Sequence, residues 1–186
     1  MGKAILGMTM SLDGIVNDRD GDVGCLYPDL EALRETELLQ EAIRTTGAVV
    51  MGRHAYDMAN GDFTGYEFQV PIFVLTHRVP AKVAKGENEN FKFNFIKDGI
   101  ESAIEKARAA AVEKDVTVVG NADSFQQCIN KGLVDEIQID IAPLLLGDGL
   151  RLFEHINAEA IELENRGVIE SSAGVTHLRY RVVKEL

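Results

Sequence analysis

Short apolar segments of strand length recur along this chain, interleaved with stretches of helical spacing, and that alternation restricts the fold more than any other feature. Ala4 to Met10 is apolar on both parities, as a strand covered on both faces must be. Ala48 to Met51, Pro71 to Thr76, Asp115 to Gly120 and Val134 to Ile141 repeat the theme. Phe91 to Ile96 alternates with Lys92 and Asn94, as expected of a strand near a sheet edge. Between these runs, Pro28-Asp29 opens a helix whose inward stripe is Leu39, Ala42, Ile43 and Thr46 and which Gly47 stops. Asp98-Gly99-Ile100-Glu101 fits a capping box, with Ile100, Ala103, Ile104, Ala107 and Ala111 as the buried stripe that follows. Ser124 to Asn130 reads as a short helix, and Arg53 to Tyr66 as a loop with at most a helical turn. The chain ends in two strands, Ile161 to Ile169 and Val175 to Val183, joined near Ser171 to Gly174. The expected fold is a three-layer α/β sandwich, with a mixed, mainly parallel central sheet and an antiparallel C-terminal edge.

At 186 residues, 46% of them hydrophobic, the chain suits one domain with one full core. No apolar run approaches the ~20 residues that cross a bilayer, and neither a signal peptide nor an acylation pattern is read at Met1-Gly2-Lys3-Ala4. A net charge of −11 argues against nucleic acid and anionic membranes as partners. Cys25 and Cys128 stand far apart, without a CxxC pair or a histidine at ligand spacing, so no metal site or disulfide framework is expected and the cytoplasm is the expected compartment.

In an open α/β sheet, ligands gather outside the carboxyl ends of the parallel strands. Three strand exits here carry groups suited to phosphate: Gly52-Arg53-His54, Thr76-His77-Arg78, and Gly120-Asn121-Ala122-Asp123 leading into Ser124 and Phe125. Gly52 lets a phosphate approach the backbone, and Arg53 offers a planar fork to its oxygens. Thr76, His77 and Arg78 combine hydroxyl, imidazole and guanidinium, while the helix after Gly120 presents unpaired N–H groups and a favourable dipole. Each segment also has a plainer reading: a strand-ending turn, a solvated loop, or a helix capped by Asp123. Asp13, in the turn Ser11-Leu12-Asp13-Gly14, either faces the substrate or shapes that turn. His177 sits on an alternating strand, where a surface position is the default. The glycines of Pro143 to Phe153 read as backbone that meets a ligand. Motifs for dinucleotide fingerprints, P-loops, zinc proteases and nucleophile elbows are absent.

Four segments together resemble the dihydrofolate reductase-like superfamily, and within it the reductase domain of the bifunctional riboflavin-biosynthesis deaminase/reductase. They are Ser11 to Gly14, Val50 to Asp57, Val118 to Asp123, and Pro143 to Phe153. The resemblance implies an NADPH-dependent reductase of a small heterocyclic, pterin-like or ribosylaminopyrimidine-type substrate, usually a homodimer. It places Gly52, Arg53 and His54 at the cofactor phosphates, Thr76, His77 and Arg78 around the adenosine 2′-phosphate, Gly120 to Phe125 over the pyrophosphate, and Val16 near the nicotinamide. Dihydrofolate reductases have a glycine pair where this chain has Gly120-Asn121, and a carboxylate on the first helix in a setting like that of Asp29. A non-catalytic nucleotide-binding or sensory domain of the same fold is the alternative.

Overall fold

The computed structural model describes residues 2–27, 29–157, 161–170 and 174–183. Pro28 and the joining residues Ser171 to Ala173 lie outside the described residues. One eight-stranded sheet runs through the molecule. Its members are β1 (Ala4–Ser11), β3 (Thr46–Gly52), β4 (Ile72–Leu75), β5 (Phe93–Ile96), β6 (Asp115–Val119), β7 (Glu136–Ala142), β9 (Leu163–Glu170) and β10 (Thr176–Val182), in the order β5-β4-β3-β6-β1-β7-β10-β9. The first six run parallel, and β10 pairs antiparallel with both β7 and β9. A separate ribbon pairs β2 (Ile15–Asn17) with β8 (Leu150–Arg151).

Two apolar cores flank the sheet. On one face, α4 (Ile100–Ala111) and α5 (Ala122–Asn130) bury their stripes against Leu6, Val50, Val116 and Ile139. On the other, α2 (Glu37–Thr45) and α3 (Arg53–Met58) cover Val49, Met51, Ile72 and Val74, with an aromatic cluster built on Tyr56, Phe63, Phe91 and Phe93. Because β3 alternates its side chains between the two cores, all of Ala48 to Met51 is buried, and full burial of each such Val contributes about 1.5–3 kcal/mol. The five α4 residues expected to face inward are all buried.

Several local expectations change in three dimensions. The first helical segment is two helices: α1 (Leu30–Arg34), capped by Asp29 through Ala32 N–H at 2.8 Å, and α2, capped by Thr36. Thr46 belongs to β3, where its hydroxyl meets that of Thr117 at 2.7 Å. Gly47 also lies in β3, and a Cβ there would stand 2.7 Å from Lys114 Cβ and 2.9 Å from Ala111, so close packing against the end of α4 requires the glycine. The capping box before α4 does not form: Gly99 is the N-cap, with φ +93, and no side chain caps the helix. The helical turn allowed within Arg53 to Tyr66 is α3, which starts at Arg53 directly where β3 ends, and loop follows it.

Candidate functional site: a cleft at three strand exits

β3, β4 and β6 are neighbours in the sheet, so their carboxyl ends open side by side. The result is one cleft of about 450 Å³, lined by Gly52, Arg53 and His54 from the β3 exit and by Thr76, His77 and Arg78 from the β4 exit. Asn121, Asp123 and Ser124 at the start of α5 close the third side, and Lys97 and Gly99 the fourth. Arg53, Arg78 and Lys97 set three positive charges against the carboxylates of Asp123 in the lining and of Asp57 bonded to Arg53, which leaves the cleft net positive on a molecule of net charge −11. Screening beyond about 10 Å leaves that local balance to dominate close-range attraction.

Arg53 is held rather than solvated. Its Nε donates to both Asp57 oxygens at 2.8 and 2.9 Å, and its Nη1 donates to the Arg78 carbonyl at 2.6 Å. This latch ties the start of α3 to the β4 exit. Thr76 Oγ1 donates to the same Arg78 carbonyl at 2.8 Å and accepts from Arg78 N–H at 3.3 Å, fixing the turn. His54, His77 and Arg78 are exposed on the cleft's rim. Gly52 forms its floor: a Cβ there would sit 3.1 Å from Ser124 Oγ and 3.4 Å from Asn121 Oδ1, filling the space a phosphate oxygen would take.

Asn121, not Asp123, is the N-cap of α5, accepting from Ser124 N–H at 3.1 Å. Its carbonyl also takes the Phe125 N–H, so of the first-turn donors those of Ala122 and Asp123 remain for a ligand. The side chains of Ala122 and Phe125 lie in the core, the latter edge-on to Phe153 at 5.7 Å, which limits what they offer to backbone groups. Val16 is likewise buried in the core within β2 and does not line the cleft. Gly120 adopts φ +136, a region essentially restricted to glycine, and a Cβ would meet Gly52 N at 3.1 Å. No cis peptide bond occurs among the described residues, the Gly120-Asn121 turn included.

The turn-shaping role of Asp13 is what the geometry provides. Its carboxylate accepts from Ser11 Oγ at 2.5 Å, Gly147 N–H at 2.7 Å and Leu146 N–H at 3.2 Å. The Ser11 hydroxyl and the Gly147 N–H hold its pKa down to about 2, so near neutrality it is an ionised acceptor with no proton to give. The glycines of Pro143 to Phe153 serve the same junction: a Cβ on Gly149 would overlap the Asn17 carbonyl at 2.1 Å, so chain packs here where a ligand was expected. Asp29, the cap of α1, is exposed.

A second cavity, of about 250 Å³, lies on the sheet face under α1 and α2. Thr9, Thr117, Gln138 and Asp140 give it a polar floor, and Leu33, Leu39 and Phe68 an apolar roof. Gly7 keeps the floor open, since a Cβ added there would touch nothing within 4 Å. Gly120 lines this cavity while its neighbour Asn121 lines the cleft, so the two spaces meet at the β6–α5 turn. His177, expected at the surface, is buried in this wall and bonded to Asp140. Alternation along β10 is visible in the sequence, but which parity is covered depends on the helices that pack over β7 and β10.

Residues 3–177 match the RibD C-terminal domain family. The chain belongs to that family. Among curated relatives of this RibD C-terminal domain chain is the uncharacterized Bacillus subtilis protein YyaP, 26% identical over 183 residues that cover 96% of this chain and 94% of YyaP. A Shewanella sp. PV-4 protein provisionally named for riboflavin biosynthesis superposes with TM-score 0.79 at 20% identity, covering 98% of this chain and 99% of that one. The Thermotoga maritima diaminohydroxyphosphoribosylaminopyrimidine deaminase/5-amino-6-(5-phosphoribosylamino)uracil reductase superposes with TM-score 0.76 at 16% identity, covering 98% of this chain and 57% of that protein. Likeness at such identities establishes a shared fold, that of a riboflavin-pathway reductase domain.

Proposed function

We propose that this RibD C-terminal domain chain is an NADPH-dependent reductase of a small nitrogen heterocycle, pterin-like or ribosylaminopyrimidine-like. When bound, the reduced nicotinamide supplies the hydride. The donor set of the strand-exit cleft fits the phosphorylated dinucleotide: Gly52 leaves room for an oxygen, Arg53 and Arg78 supply guanidinium groups, and Asp123 at the start of α5 offers a first-turn N–H. His77 and Arg78, exposed at the rim, are suited to the 2′-phosphate that separates NADPH from NADH. The sheet-face cavity takes the heterocycle, its flat apolar roof covering the ring and its polar floor meeting the edge.

The observation that carries this reading is the adjacency, at the β6–α5 turn, of a positive cleft lined by Asn121 and a polar-floored cavity lined by Gly120. Partners held on either side of that turn would lie close together, which is what hydride transfer requires. Fluorescence titration with NADPH tests the cofactor, and loss of NADPH absorbance with 5-amino-6-(5-phosphoribosylamino)uracil or dihydropterin tests turnover. Saturable binding and steady consumption are expected. Absence of binding overturns the reading; binding without consumption of either acceptor assigns the chain to nucleotide binding alone. The same proposal includes a homodimer, for which the outermost strand β9 offers exposed Leu163, Val168 and Ile169, and light scattering in solution checks the mass.

A further inference from the structure

The sheet-face cavity contains a titratable pair that neither the strand-exit cleft nor the turn at Asp13 uses. Thr9 on β1, Asp140 on β7, His177 on β10 and Ile169 on β9 stand in one row of cross-strand partners, so their side chains leave the same face of the sheet. His177 Nδ1 lies 2.5 Å from Asp140 Oδ1, and both residues line the cavity. The imidazole is nearly enclosed, its side chain 5% exposed, whereas that of Asp140 is 32% exposed.

His177 Nε2 is buried and has no hydrogen-bond partner among the described residues. A buried imidazole nitrogen is ordinarily satisfied, and an unsatisfied one calls for an explanation beyond packing. A valine would occupy the same strand position without leaving a polar atom unpaired. The histidine instead faces a carboxylate on one nitrogen and leaves the other buried without a partner in the wall of the cavity. That is the arrangement of an imidazole oriented by a carboxylate so that its far nitrogen can exchange a proton.

We propose that His177 and Asp140 are the proton-delivering pair of this protein, with His177 Nε2–H giving its proton to the nitrogen or oxygen of a C=N or C=O group on a heterocycle bound in the sheet-face cavity. The proposal rests on the reductase reading above. In the step, the carbon gains a hydride from the reduced dinucleotide and the π bond breaks. The electron pair this leaves on nitrogen or oxygen takes the Nε2 proton, while Nδ1–H stays bonded to Asp140. The neutral imidazole then recovers a proton from water, and the dinucleotide leaves oxidised by the two electrons the carbon received.

Around the pair, the other titratable and charged groups are Tyr27 from the chain before α1, Arg179 on β10 itself, and Glu41 of α2, which accepts from Arg179 at 3.1 Å. β9 places apolar Ile169 opposite His177. Tyr27 is kept a neutral donor by desolvation and by the Asp140 charge. Arg179 is already paired with Glu41, which leaves Asp140 as the carboxylate that faces the His177 ring.

The test uses the full chain with labelled histidines, followed by imidazole NMR, with His177 assigned by the loss of its signal in His177→Gln. The His177 Nε2 resonance is expected to move when the phosphoribosylaminouracil or dihydropterin is added, and to move less in Asp140→Asn, where the imidazole loses the carboxylate that orients it. In turnover, His177→Gln is expected to lower the rate by about a hundredfold or more and to flatten its decline at alkaline pH, with NADPH affinity unchanged. An Nε2 resonance that responds to neither heterocycle overturns the proposal, as does a His177→Gln enzyme with the wild-type rate and pH profile. If NADPH fails to bind the wild-type chain, the reductase reading falls, and the NMR response to heterocycle still decides whether this pair meets a ligand. Should His177→Gln not fold, the rate of Asp140→Asn and the wild-type response to heterocycle carry the same decision.

Discussion

Replacing Arg53 with alanine removes the group on which the strand-exit cleft most depends. Three consequences follow from its bonds. The guanidinium edge facing the cleft is lost, the Arg78 carbonyl loses its 2.6 Å donor, and Asp57 is left as an unpaired carboxylate close to where phosphate would sit. A hydrogen bond to a charged group contributes about 1.5–3 kcal/mol, so NADPH affinity is expected to fall by roughly ten- to 150-fold. Fold stability changes far less, because the Arg53 side chain is 35% exposed and its i,i+4 pair with Asp57 contributes only about 0.3–0.5 kcal/mol. Fluorescence titration with NADPH at two salt concentrations, beside thermal melts of the same samples, separates the two effects. Arg53→Lys keeps the charge but cannot reproduce the fork, and its affinity is expected between the other two. An Arg53→Ala dissociation constant within about twofold of wild type, with an unchanged melt, would refute the placement of phosphate against this side chain.

Neutralising Arg78 is expected to weaken NADPH more than NADH, since only the former carries the 2′-phosphate; equal losses in parallel titrations remove Arg78 from that role. Gly7→Val places a strand-favouring side chain in the open floor of the sheet-face cavity, so acceptor turnover should be lost while NADPH binding and the melting temperature persist. Gly120→Ala meets both a positive φ and a 3.1 Å approach to Gly52 N, and chemical denaturation should record a loss of about 1–3 kcal/mol. The carboxyl of Asp13 is held well below its unfolded value, so its contribution to stability is present above the ordinary carboxylate range and is lost as pH falls through about 2. Thermal melts down an acid series should therefore lose stability less steeply in Asp13→Asn than in the wild-type chain.

Much of the scaffold was legible because its signals are local. The stripe Ile100, Ala103, Ile104, Ala107 and Ala111 is set by helical period alone, and all five residues are buried against the sheet. The doubly apolar strands announced a sheet covered on both sides, and the weaker alternation of Phe91 to Ile96 marked the edge that β5 occupies. Errors arose where two local signals compete. Gly47 has the character of a helix stop, yet close packing against Ala111 is what requires it. Asp98 and Glu101 have the spacing of a capping box, but Gly99 takes the N-cap position, so Asp98 lies one residue outside it.

Strand ends carrying Arg53, Arg78 and Gly120 were visible in the linear chain, since exits from apolar runs are marked by glycine and polar residues within a few positions. That these ends share one cleft was decided by strand order, which brings β3 between β4 and β6. The bond between His177 and Asp140 spans 37 residues and depends on antiparallel register and on the helices above it, and no pattern within either strand encodes that meeting. Periodicity and turn chemistry act over a few residues and fix what each segment becomes; the pairing of distant charges follows only when the whole sheet has chosen its neighbours and covered one parity of each strand.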